Sequence, residues 1–280
     1  MERFLGAHVS VAGGLEKSLE RAEELGINTI QVHPSAPQRW NSKPFEKEYW
    51  QKFKERIKKS PVKKVFFHAI YLINLANPDK QKFHLSKLSL VHYLNLLAEI
   101  KGDGVIVHVG SLKDQESEEK GYQQIIKGIN WVLKESNPSS KLLLEMAAGS
   151  GKVVGSRAEE LRKIYQGVDN KKRVGFALDT QHIWASGYDI AGDLEGVIKD
   201  IKKNFNGNIG AVHINDSKTE LGSKKDRHEN IGKGKIGEKA LRDFINHPYI
   251  RRTPCILETP ALKSMDTAKA EVKKLLSLAK

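Results

Sequence analysis

Short, strongly apolar runs recur along the chain, and each gives way to a polar loop and then to a stretch with helical spacing. The runs occupy residues 4–8, 29–33, 65–68, 105–109, 142–145, 174–179, 209–214 and 255–258. Their Val, Ile, Leu and Phe content predicts strands covered on the outside by helices rather than half-exposed ones. Between them, Leu15, Leu19, Ala22 and Leu25 fall on one helical face that stops at Gly26, a residue suited to a left-handed helix end. Phe45, Tyr49, Phe53 and Ile57 repeat at four-residue steps before Pro61, and 83–100 and 122–133 carry the same period. A last helix over 266–279 closes the series. Eight strand–helix units in 280 residues, with no linker or low-complexity tract, predict one (β/α)8 TIM barrel domain over residues 1–280, a fold that typically needs about 250 residues.

The strand ends carry the chemistry. His8, His33, His68, Glu145, Asp179 and Glu258 close their runs, while His108 and His213 stand one residue before an end. Barrel enzymes build their sites at that C-terminal face. One strand-end histidine is usually a satisfied core group, but eight ionisable groups converging on one face need positive charge to compensate them, and divalent metal supplies it. His182 follows Asp179 by three residues, and Asp226 and His228 lie in the long loop after the seventh strand. Imidazole nitrogen and carboxylate oxygen suit zinc, with manganese or iron as competitors, and suit calcium poorly. The donors outnumber what one ion can use, so two or three sites sharing a carboxylate are expected. Paired ions of that kind are used to cleave phosphodiesters.

Composition narrows the partner. Lys and Arg total 47 against 34 Asp and Glu, a formal charge of +13, which favours a polyanion over a neutral metabolite. The one cysteine, Cys255, excludes an intrachain disulfide and Cys-rich zinc motifs and reads as a core residue of the last strand. No apolar run approaches the roughly 18 residues of a membrane span, and the first residues do not read as a signal peptide. A reducing, cytoplasmic setting is expected.

The motifs in order are GAHVSVAGG at 6–14, HAIYLINL at 68–75, HVGS at 108–111, DTQH at 179–182, ASGYD at 185–189, HINDSK at 213–218, DRHENIG at 226–232 and LET at 257–259. Together they span the chain, and the chain resembles the endonuclease IV family of zinc-dependent apurinic/apyrimidinic endonucleases. The resemblance implies three zinc ions, with manganese as a possible substitute. His68, His108 and Glu145 would hold the first. Glu145 would bridge to the second, completed by Asp179, His213 and Glu258, and His182, Asp226 and His228 would hold the third. It further implies hydrolysis 5′ to an abasic site in double-stranded DNA by a monomer, with Glu145, Asp179 and Glu258 as the catalytic carboxylates. His8 and His33 fall outside that ligand set and are expected to support ligands or face substrate.

For DNA contact the resemblance implies Tyr71 and Leu72 as groove wedges and a loop at Gln38, Arg39 and Trp40. Gln38, not Arg39, aligns with the family's wedge arginine. Where the family usually has Asn-Thr-Ala-Gly, this chain has Met146, Ala147, Ala148 and Gly149, a loss of two polar side chains expected to alter rate or metal affinity modestly. The run GKGKIG at 232–237, with Lys233, is expected to open a helix where barrels often hold phosphate. Lys218, Lys224, Lys225 and Lys263 lie in nearby loops. Two rival readings are a metal-dependent sugar isomerase or epimerase on the same barrel and a basic barrel that only binds nucleic acid. A third metal cluster disfavours the first, and nine intact donors disfavour the second.

Overall fold

The computed structural model describes residues 2–36, 38–40 and 43–279. Its strands are β1 (Leu5–His8), β2 (Thr29–Val32), β3 (Lys64–His68), β4 (Gly104–Val107), β5 (Leu142–Glu145), β6 (Val174–Asp179), β7 (Ile209–Ile214), β8 (Asp216–Ser217), β9 (His228–Glu229) and β10 (Cys255–Leu257). Eight of them close a parallel barrel in the order β1-β10-β7-β6-β5-β4-β3-β2, the expected (β/α)8 architecture. The helices are α1 (Lys17–Leu25), α2 (Lys47–Arg56), α3 (Lys80–Ile100), α4 (Glu118–Glu135), α5 (Ala158–Gln166), α6 (Thr180–Ala185), α7 (Leu194–Phe205), α8 (Glu238–Asn246) and α9 (Met265–Leu278). Gly26 ends α1 at φ 67°, the left-handed geometry that glycine adopts without a side-chain clash.

Several boundaries differ from the sequence expectation. β2, β4 and β10 stop at Val32, Val107 and Leu257, so His33, His108 and Glu258 stand just beyond their strands. Barrel stagger leaves these three residues without a ladder partner on the neighbouring strands, while their side chains keep the inward direction of the strand. β1 begins at Leu5 rather than at Phe4. α1 and α2 begin after Leu15 and Phe45; Leu15 is nonetheless buried.

The period of two places the chemistry. A buried layer of Phe66, Ile106, Leu143, Ala177, Ala211 and Ile256 forms its own cluster, separate from the large core between strands and helices. Each member lies two residues before His68, His108, Glu145, Asp179, His213 or Glu258, so those six side chains stand one layer above it on the interior face. The apolar layer is the floor on which the polar ring rests. Among the described residues, no helix is long and apolar enough to cross a membrane.

Candidate metal centre

Glu145 is the hub of the ring. It is fully buried; its Oε2 lies 3.0 Å from His68 Nε2 and 3.2 Å from His108 Nε2, while Oε1 lies 2.8 Å from His213 Nδ1 and 3.5 Å from His182 Nδ1. His213 Nδ1 also stands 3.2 Å from Glu258 Oε2 and 3.7 Å from Asp179 Oδ2. On the far side His228 Nε2 is 3.5 Å from Asp179 Oδ2, and Asp226 reaches His182 and His228 with different oxygens, each at 3.4 Å. Three donor groups result: His68, His108 and Glu145; Glu145, Asp179, His213 and Glu258; and Asp179, His182 and His228. Glu145 is common to the first two and Asp179 to the last two.

Local structure delivers each side chain. Asp179 caps α6, its Oδ1 accepting from the backbone of Gln181 (2.7 Å) and His182 (3.1 Å), which leaves Oδ2 facing the centre. His182 thereby sits on the first turn of α6, directly above the end of β6. The β8–β9 ribbon pairs Ser217 with His228, folding the long loop back so that His228 and Asp226 overhang the barrel mouth.

Whether these residues fit a cation is a question of lone pairs. His68 Nδ1 and His182 Nδ1 donate to the carbonyls of Ala69 (2.8 Å) and Met146 (3.0 Å), and His228 Nδ1 faces the Glu258 carbonyl at 3.3 Å. Their Nε2 atoms are then unprotonated in the neutral rings, yet His182 Nε2 and His228 Nε2 stand 3.4 Å apart. Facing lone pairs repel unless a proton or metal lies between them. Among the described residues, every ion-pair partner of Glu145, Asp179, Asp226 and Glu258 is an imidazole. Among the described residues no Lys or Arg pairs with these carboxylates, and the donor set fits zinc-like ions.

The electrostatics agree. Burial pushes the Glu145 carboxyl up, but His108, His213 and His182 outweigh it and hold the pKa well below the usual carboxylate range. Glu258 follows the same balance to about 2, with His213 and His68 outweighing its burial. Against burial, Glu258 and Glu145 raise His213 to about 9, and Asp179 and Asp226 raise His182. Carboxyls held low beside the rings of His182 and His213 held high make a charge pattern suited to exchanging protons for cations.

The other sequence-derived residues divide. Tyr71 is 65% exposed beside the mouth, while Leu72 and Trp40 are half-buried against the core; Gln38, Arg39, Lys218 and Lys233 are exposed. His8 and His33 pack with ring centroids 4.6 Å apart and line a cavity of about 1000 Å³ that also touches Glu258, Lys218 and Lys263. Met146 and Ala147 are buried, and Met146 serves the site through its carbonyl. The phosphate-loop expectation for 232–237 is corrected. The amides of Gly232, Gly234, Ile236 and Gly237 donate to the buried Asp216 carboxylate at 2.9, 3.1, 2.9 and 3.3 Å, so an internal anion already fills the nest. A Cβ on Gly234 would lie 2.4 Å from the Ser217 carbonyl oxygen and 2.5 Å from Asp216 Oδ1, which is how closely that loop wraps the carboxylate.

Three residues escaped the sequence reading. Gln31, in β2, is fully buried and bonds His8, His213 and Glu258; counting back two from His33 would have placed it on the interior face. Asn215 donates to Asp179 Oδ2 at 2.7 Å and accepts from the Glu258 amide at 3.0 Å. Asp216 organises the loop just described, and only the fold reveals that partner.

Comparison with known proteins gives a consistent picture. A family model described as xylose isomerase-like TIM barrel matches residues 19–278. The probable endonuclease 4 of Halothermothrix orenii is 39% identical over 267 residues, covering 94% of this chain and 95% of that one. The apurinic-apyrimidinic endonuclease 1 of Plasmodium berghei is 36% identical over 264 residues, covering 92% of this chain and 51% of that one. Endonuclease IV from Thermus thermophilus superposes with a TM-score of 0.87 at 28% identity, covering 99% of this chain and 98% of the other.

Proposed function

The chain belongs to the endonuclease IV family and is a nuclease-type hydrolase, and on that premise we propose that it nicks double-stranded DNA 5′ to abasic sites, leaving a 3′-hydroxyl and a 5′-deoxyribose phosphate. The observation that carries the reading is the fusion of three donor groups through Glu145 and Asp179. In this reading His68, His108 and Glu145 hold one zinc ion. Glu145, Asp179, His213 and Glu258 hold a second, and His182, Asp226 and His228 a third. When bound, the ions supply a nucleophile from water near neutral pH and offset charge on the departing oxygen.

The protein's own part is to fix positions. Glu145 sets the separation of the first two sites because both of its oxygens are committed to rings on opposite sides. Asp179 spends one oxygen on the α6 cap and so presents the other without freedom to rotate. In this reading Tyr71 with Leu72, and the loop bearing Gln38, Arg39 and Trp40, engage the groove at the lesion; the exposure of Tyr71 supports it. Lys218 and Lys233, within a chain of charge +13, attract the phosphate backbone. All nine donors come from one chain, which supports action as a monomer, and the buried lone cysteine supports a reducing cytoplasmic setting. A sugar isomerase would have no use for the cluster of Asp226, His182 and His228.

The deciding experiment uses a duplex carrying one tetrahydrofuran abasic analogue, with and without chelator treatment of the protein. The analogue cannot undergo lyase-type elimination. The expected result is a single nick 5′ to the analogue, lost on chelation and restored by zinc. An uncut duplex with fully metallated protein refutes the reading.

A further inference from the structure

Gln31 occupies a position that no ligand set accounts for. It is fully buried, aligned in the sheet with His8 on one side and Phe66 on the other, and its amide touches three ionisable groups. Its Nε2 lies 2.5 Å from Glu258 Oε1 and 3.1 Å from His8 Nδ1, and its Oε1 lies 2.7 Å from His213 Nε2.

The amide orientation follows from its partners. The Glu258 carboxylate only accepts, so the NH2 end must face it, and the oxygen must face His213. His213 then has to donate from Nε2, and its remaining nitrogen, Nδ1, is the one turned to Glu145 Oε1 at 2.8 Å and Glu258 Oε2 at 3.2 Å. This tautomer is opposite to that of His68 and His182, which donate from Nδ1 to backbone carbonyls. The same amide occupies Glu258 Oε1, leaving Oε2 as the oxygen that faces the centre. We propose that Gln31 is a positioning residue of the middle site: it fixes which nitrogen of His213 and which oxygen of Glu258 are presented to the ion. The proposal rests on the metal-centre reading above. Second partners of this kind set ring tautomer and orientation, and their loss typically weakens metal affinity about 10- to 100-fold.

Two substitutions separate the functions of the amide. Gln31→Met fills the space but bonds neither partner. Gln31→Glu can still accept from His213 but cannot donate to Glu258, against which it sets a second carboxylate. The full-length protein, zinc-loaded, is read by two measurements: ions retained against a graded chelator, and the histidine ring 15N–1H spectrum, which distinguishes the protonated nitrogen. In the unsubstituted protein His213 is expected to be protonated on Nε2. In Gln31→Met that signature is lost, and one ion leaves at chelator about 10- to 100-fold more dilute. Gln31→Glu is expected to keep the His213 signature and lose the ion as easily. It also decides the matter if the methionine variant does not fold. Unchanged retention with an unchanged His213 signature in either foldable variant overturns the role of Gln31 while leaving the metal centre standing. An unsubstituted protein that retains no zinc overturns the metal-centre reading and this inference with it.

Discussion

Asp216→Ala tests how the loop around the barrel mouth is held. The carboxylate is fully buried and accepts from the backbone of Ser217 (2.8 Å) as well as from Gly232, Gly234, Ile236 and Gly237. Alanine removes every one of these acceptors. The three glycine amides lie on residues that are exposed or half-buried and can turn to water, so their loss costs little. Ser217 and Ile236 are buried at 0% and 5% exposure, and their N–H groups are left without a partner. An unsatisfied buried donor costs about 1–3 kcal/mol, and bonds to a charged acceptor sit in the upper part of that range. At about 1.5–3 kcal/mol each, the two sum to a destabilisation of about 3–6 kcal/mol, a large share of the roughly 5–15 kcal/mol that holds a typical domain. Asp216→Asn keeps the shape but turns an NH2 toward backbone donors, and about 2 kcal/mol is expected. Urea unfolding of the metal-free protein is the assay, since bound metal would add its own linkage. Amide exchange of residues 232–237 should rise in parallel. A midpoint shift worth less than about 1 kcal/mol for Asp216→Ala would refute the argument that these amides depend on the carboxylate.

Three further outcomes are expected. Glu145→Gln is isosteric but removes the charge that four imidazoles share; cleavage should fall by more than the roughly 10- to 100-fold typical of outer partners while affinity for abasic DNA persists, and turnover near the unsubstituted rate would contradict the hub role. For the metal-free protein, burial opposes but Glu258 and Glu145 raise His213 to about 9. A base with a raised folded pKa adds stability that is fully present below its ordinary value of about 6.5 and is lost as pH rises toward 9. Metal-free stability followed by urea unfolding should therefore decline from pH 6.5 to 9, and zinc uptake at pH 7 should release protons, seen as calorimetric heats that depend on buffer ionisation; a buffer-independent heat would count against proton exchange.

Apolar runs of strand length separated by amphipathic stretches specify the barrel, because a parallel strand must bury both faces and needs a helix to return the chain. Ligand-type residues at eight strand ends specify that the chemistry gathers at one mouth, because inward residues of a closed sheet have nowhere else to point. His68, Glu145, Asp179 and His213 were legible on that ground alone. His182, Asp226 and His228 were visible as candidates, but their convergence depends on the cap that Asp179 gives α6 and on the ribbon that folds His228 back.

Long-range pairing is what the one-dimensional pattern leaves open. Gln31 looks like any polar residue in an apolar run, and its role exists only because closing the barrel sets β2 within reach of His213, 182 residues later in the chain. The GKGKIG run reads as an open anion nest until Asp216 is found inside it. Local sequence carries period, caps and residue chemistry, since those act over a few bonds. Which nitrogen of a ring is protonated, which carboxylate oxygen faces the centre and which amides are already satisfied are decided by partners brought together by the tertiary structure, because hydrogen bonds act over about 3 Å and only the closed barrel brings distant residues that near.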